Sequence, residues 1–368
     1  MAIKSNRLVY LDWMRGLAAL IMLQGHVLDS WVRPQDRSGE WFWLSQFLGG
    51  LPAPIFLFLV GVSLSLVLDR MQAKGAGARN LVIKILRRGG WILFLAYAFR
   101  IEQFLVWYPN SHWSDLLKID TLNCIGACTV IIGLVSVALK SRRTNMIAMG
   151  LATAGFVFMT PWIYEMTGLP SFVLSYVNGN QHPWYFSIFP WAAFTLAGIT
   201  FGYVLLEMRE RVDERDFFNG VAVAGVCAYA VGAAMSLTST FEYGFFDYSL
   251  TSPHYFFVRL GWVLLILYGA YRWSVRQSAG SWSPLITLGQ ASLVVYWAHI
   301  EIVYGRWFHD FAQSLALSVA ARQLLWLLPL MLMLASARQI HAGVSEMAWR
   351  VLPVPAEARI GRFLRRTG

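Results

Sequence analysis

Apolar runs of about 20 residues recur along the whole chain, and no other feature limits its fold as strongly. Ten are marked, at 8–31, 47–68, 89–107, 121–139, 145–164, 184–206, 217–239, 254–273, 284–306 and 316–336. Each has the length of a helix crossing a bilayer. A transmembrane β-barrel would instead show alternating segments of ~10 residues, and the sequence has none. Composition agrees: 57% of the 368 residues are hydrophobic and 14% are charged. A soluble domain carries roughly a quarter charged residues, so disordered chains, disulfide scaffolds and ordinary soluble enzymes are excluded. The expected fold is all-α: an integral membrane bundle of about ten helices, forming one domain over 1–368 with a basic tail from about 338.

The net charge of +10 asks whether the chain binds nucleic acid or obeys the positive-inside rule. Placed on the ten spans, 23 Lys and Arg, Lys4 and Arg7 among them, fall on one side, against seven on the other. That alternation predicts both termini in the cytoplasm and leaves no role for nucleic acid. The first apolar run is longer than a signal h-region and holds Asp12 and Arg15, so it is expected to remain as a helix. Cys124, Cys128 and Cys227 lie in apolar runs without a histidine set to complete a zinc site, so they are read as packing residues and no metal is expected.

Ionisable groups inside such spans cost ~2.5–3.5 kcal/mol each near the bilayer centre. In the first span Asp12 stands three residues before Arg15, and His26 follows eleven after it. Eleven steps of ~100° return to the same face, ~16 Å further along the axis. One polar stripe is therefore expected, with Arg15 toward the cytoplasm and His26 in the outer half. Arg100 and Glu102 fall near the outer end of the third span, Arg259 in the eighth, and His299 and Glu301 in the ninth. Six of the seven histidines and eleven acids, among them Asp120, Glu242 and Asp247, map outward, which predicts an outward-opening polar cavity. Lys84, Arg87 and Arg88 open the third helix on the cytoplasmic side, where they either anchor the helix or meet phosphates. Pro52 and Pro54 are expected to start a helix, Pro190 to kink one, and Gly198 with Gly202 to allow close helix contact.

These residues resemble a known family. Leu11-Asp12-x-x-Arg15-Gly16 with His26 is similar to the first helix of the transmembrane acyltransferases. Gly49 to Gly61 resembles their second-helix signature, Asp120 to Gly126 the opening of the fourth helix, and Phe189-Pro190-Trp191 with Gly198 and Gly202 their Pro-Trp motif. Leu288 to Leu293, leading to Tyr296 and His299, resembles the late-helix motif. The ordered set runs from about 7 to 305. It resembles bacterial proteins grouped with heparan-α-glucosaminide N-acetyltransferase and, more distantly, the acyltransferase-3 type.

The resemblance implies transfer of an acyl group, by expectation acetyl, from cytoplasmic acyl-CoA to a glycan or other acceptor outside. It implies His26 as general base or acyl carrier, Arg15 holding the donor, and Asp12 orienting Arg15. Lys84, Arg87 and Arg88 would meet CoA, while Asp120, Asn123, Arg100, Glu102, His299 and Glu301 would bind acceptor. Two positions depart from the pattern. Residues 32–46 lack the loop histidine of the heparan enzyme, so His26 is assigned by the acyltransferase-3 pattern, and Asn123 stands where relatives often have histidine. In a bacterium the location would be the inner membrane. The competing readings are a transporter or flippase using the same polar path and a structural membrane subunit. A transporter favours inverted repeats and broken helices, neither visible in the sequence. The 17 Trp fit interfacial belts, lipid contact or a homodimer surface equally.

Overall fold

The computed structural model describes residues 8–179, 186–237, 252–277 and 281–351. Lys4, Arg7, His182, Glu242, Asp247 and the tail from 352 lie outside the described residues. Among the described residues the regular structure is helical, with one isolated bridge between Val32 and Leu315. The longer helices are α1 Val9–Trp31, α2 Glu40–Gly49, α3 Pro52–Ala73, α4 Ala78–Trp107, α5 Thr121–Leu139 and α6 Arg142–Tyr164. After them come α7 Ser171–Val177, α8 Ile188–Met208, α9 Glu214–Met235 and α10 Pro253–Arg276. The chain closes with α11 Pro284–Gln290, α12 Ser292–Val303 and α13 Leu317–Val351.

Local chemistry explains several boundaries. Pro52 and Pro54 occupy the first turn of α3, where a missing N–H costs nothing. Asp120 caps α5 by accepting from the Leu122 and Asn123 backbone N–H groups, and the Asn123 side chain accepts in return from Asp120 N–H. In α8 the chain leaves helical geometry at Phe189, as Pro190 demands, and Ser187 Oγ donates to the Phe189 carbonyl at 2.6 Å.

Every apolar span overlaps a helix, but the ninth does so in a way its sequence does not announce. Residues 284–306 were expected to run as one helix; α11 and α12 instead meet at 87°. The chain thus contains a broken helix of the sort the sequence did not display. Six described helices or merged helix pairs are long and apolar enough to cross a membrane, or up to seven if α11 and α12 form one span. The first helix is not among the six, and Asp12, Arg15, Gln24, His26 and Asp29 are the polar groups that set it apart.

Three apolar clusters hold the bundle. One joins α3, α4, α5, α6 and α8 with the start of α10, a second joins α1 and α3 with α9 and α10, and a third joins α1 and α2 with α11, α12 and α13. Helix α1 contacts α2, α3, α10, α11, α12 and α13, which makes it the hub. Glycines set the tightest approaches. A methyl group on Gly16 would stand 1.8 Å from the Leu285 carbonyl oxygen, and one on Gly289 would stand 1.9 Å from that of Asp12. The expected contact at Gly198 and Gly202 is present: the first meets the Phe58 carbonyl oxygen and the second Ser65 Oγ, both on α3.

A methyl on Gly198 would stand 2.0 Å from that carbonyl, so Gly198→Ala must push α3 and α8 apart. The expected loss is about 1–3 kcal/mol, read as a lower midpoint of thermal unfolding in detergent. Gly155 in α6 has open space at the same position, so Gly155→Ala is expected to leave that midpoint unchanged or raise it.

Candidate functional site

The stripe on α1 faces a cavity of about 1010 Å³. Asp12, Arg15, Met22, Gly25, His26 and Asp29 all line it, at intervals that keep one helix face turned inward. The opposite walls come from α3, from α4 and the start of α5, and from the α11–α12 break at Gly289, Gln290 and Ser292. Arg15 and His26 lie ~16 Å apart along α1, so one connected space serves both ends of the stripe.

At the Arg15 end the guanidinium is held at two points. Its Nη1 donates to Asp12 Oδ1 at 3.0 Å and its Nη2 to Ser63 Oγ at 2.6 Å, which ties α1 to α3. Asp12 is 2% exposed, so its buried carboxylate needs the Arg15 guanidinium, which itself stays partly open to the cavity. Arg88 also lines the cavity, near enough to Arg15 for their like charges to interact. Two guanidinium groups thus converge with one carboxylate, leaving that end positive. Arg87 and Lys84 are exposed and do not line the cavity. Helix geometry explains the difference, since adjacent residues point ~100° apart.

At the other end His26 Nδ1 lies 2.9 Å from His299 Nε2, with the rings stacked at a centroid distance of 5.0 Å. His299 has no exposed surface, and its Nδ1 lies 2.9 Å from the Val295 carbonyl oxygen one turn earlier on α12. Tyr304 meets the His26 ring edge-on at 5.5 Å and lines the cavity beside it. His299 therefore stands behind His26, away from the cavity wall.

Arg100 and Asp120 also line the cavity and pair with each other, Nη2 to Oδ2 at 3.1 Å. The buried Nε of Arg100 has no hydrogen-bond partner. Asn123 is fully buried and engaged in capping α5, and its side-chain amide donates to Tyr176 Oη at 3.1 Å. Glu102 accepts from Trp297 Nε1 at 2.8 Å, and Glu301 accepts from Gln103; of these four only Gln103 lines the cavity. Arg259 is buried between the Phe47 and Tyr255 rings and donates to the Phe47 carbonyl, which binds α10 to the end of α2. The expected gathering of histidines is narrower than the sequence suggested. Among the described residues His26 lines the cavity, whereas His112, His254 and His309 do not.

Sequence reasoning missed several lining residues: Asp29, Gln46, Ser63, Lys118, Tyr255 and Tyr304. Asp29 was findable, three residues beyond His26 on the same face. A serine in an apolar run or a tyrosine near a helix end carries no such signal. Among the described residues no group of three or more His, Cys, Asp or Glu is arranged to hold a metal ion.

No curated protein sequence matches this chain. Residues 7–233 match the family model described as heparan-alpha-glucosaminide N-acetyltransferase, catalytic. The match includes α1 and the motifs that follow through α8, and stops before α11 and α12.

Proposed function

The chain belongs to the heparan-alpha-glucosaminide N-acetyltransferase catalytic family, and we propose that it moves an acetyl group from cytoplasmic acetyl-CoA to an amine or hydroxyl of a glycan on the other side of the membrane. It is an integral membrane protein by its family and its apolar helices. In this reading it crosses the bilayer ten times with both termini cytoplasmic, which puts the Arg15 end of the cavity inward and the His26 end outward. The observation that carries the proposal is one cavity lined both by the positive Arg15–Arg88 end and by His26.

Arg88 and Arg15 suit the phosphates of the donor, with Asp12 and Ser63 fixing the direction of the Arg15 fork. The thioester arm then lies along the α1 face toward His26. There the acceptor N–H or O–H gives its proton to His26 while the acceptor atom bonds to the thioester carbonyl carbon. The carbon–sulfur bond breaks, and the departing thiolate takes the proton back from the imidazolium. Atoms and charge balance without a metal. Arg100, Asp120, Asp29 and Lys118 supply hydrogen-bonding groups for the acceptor at the outer end. His26 can alternatively take the acyl group onto its own nitrogen, in which case labelled acetyl accumulates on the protein without acceptor. A transporter reading would use the same polar path and the α11–α12 break, but family membership favours the enzyme.

The test is release of free thiol from acetyl-CoA by purified protein in nanodiscs, with and without a glycan extract. Wild type is expected to respond to the extract, and His26→Ala to lose about 10²–10⁴-fold while still binding CoA. No thiol release together with no CoA binding would overturn the proposal. The two neighbouring arginines give a sharper check. Arg88→Gln is expected to raise the KM for acetyl-CoA about 10- to 100-fold, as loss of a charge-assisted bond should, while Arg87→Gln changes it little.

A further inference from the structure

We propose that His299 is a positioning residue that fixes the tautomer of His26, keeping the Nε2 lone pair of His26 free for the reaction. The inference rests on the reading of His26 as the reacting imidazole, and it concerns a residue beyond the stretch that matches the family.

The argument begins at Val295. Its carbonyl oxygen can only accept, and it lies 2.9 Å from His299 Nδ1, so that nitrogen carries a proton and donates. In a neutral ring the other nitrogen, Nε2, is then an acceptor. His26 Nδ1 lies 2.9 Å from it and must be the donor. With its proton on Nδ1, His26 keeps an unprotonated Nε2. The reverse arrangement, in which His26 Nδ1 accepts, requires the His299 proton on Nε2 and sets two acceptors 2.9 Å apart at Val295. One backbone carbonyl therefore determines, through two imidazoles, which nitrogen of His26 is basic.

The histidine pair sits among close contacts. His299 is fully buried on α12, its ring edge-on to Tyr296 at 5.6 Å, while His26 is held on α1. The two helices meet because α11 bends into α12 at 87° and because α11 lies against the α1 backbone at Gly16 and Gly289. A histidine whose orientation and tautomer are set by a hydrogen bond to its second nitrogen is better poised for proton transfer than a freely turning one.

The test uses full-length protein with ¹⁵N-labelled histidine in nanodiscs, the His26 signals being identified by their absence in His26→Ala. Wild type is expected to show Nδ1 protonated and Nε2 unprotonated. His299→Leu removes the acceptor and is expected to mix the tautomers. His299→Gln restores an acceptor oxygen toward His26 and an N–H toward Val295, so it is expected to recover the wild-type signature. In the thiol-release assay His299→Leu is expected to lower kcat about 10- to 100-fold with the KM for acetyl-CoA unchanged, and His299→Gln to regain most of it. A merely structural role would affect Leu and Gln alike or act through folding and KM. A His26 protonated on Nε2 in wild type, or one unaltered by His299→Leu, would overturn the inference. If the tautomer behaves as expected but His26→Ala turns over normally, the acyl-transfer role of His26 fails while the tautomer assignment stands.

Discussion

In the proposed reading α1 crosses the membrane, and a charged stripe on such a helix cannot face lipid; the architecture answers that constraint. Helix α1 carries Asp12, Arg15, His26 and Asp29 on one face, and all four line the cavity. Six other helices close around α1, with apolar clusters joining its remaining faces to α3, α9 and α10 on one side and to α2, α11, α12 and α13 on the other. Pairing does the rest. The Asp12–Arg15 bridge partly neutralises one end of the stripe, and Arg100 with Asp120 does the same further along the cavity. What remains is a space with polar groups on the α1 wall and on the facing α4–α5 wall, with apolar side chains such as Phe56, Val60 and Phe99 between them.

The parts of this design that were legible in the sequence are those governed by neighbours along the chain. The stripe follows from helical periodicity, the start of α3 from Pro52 and Pro54, the start of α5 from Asp120 and Asn123, and the break in α8 from Pro190. The seating of Gly198 and Gly202 against α3 was legible as a spacing of small residues. What was hidden depends on partners distant in sequence. No proline marks the turn between α11 and α12; the backbone of α1, pressed against Gly289, accompanies a bend that no local signal announces. Arg87 and Arg88 are indistinguishable by type, and only the packing of α4 turns one of them toward the cavity. His299 read as one more outward histidine because its partner lies 273 positions earlier.

The two ends of the cavity differ in kind. Around Arg15 and Arg88 the balance is cationic, suiting a ligand with fixed negative charge. Around His26 and Asp120 the groups are mixed in sign and several are hydrogen-bonded to each other, suiting a neutral, hydroxyl-rich ligand. In the proposed reading this gradient sorts donor from acceptor without a moving gate, since each ligand finds its complement only at its own end.

The contact between α1 and α11 also bears on how such a protein can change over time. Gly16 and Gly289 are separated from the opposing main chain by no more than a hydrogen atom's room, so neither position admits even the smallest side chain without a shift of backbone. The seven-residue helix they hold leads directly into the segment that bears His299. Two residues that contribute no functional group therefore hold the geometry of those that do: a larger side chain at either would displace α11 from α1, and with it the segment that carries the partner of His26.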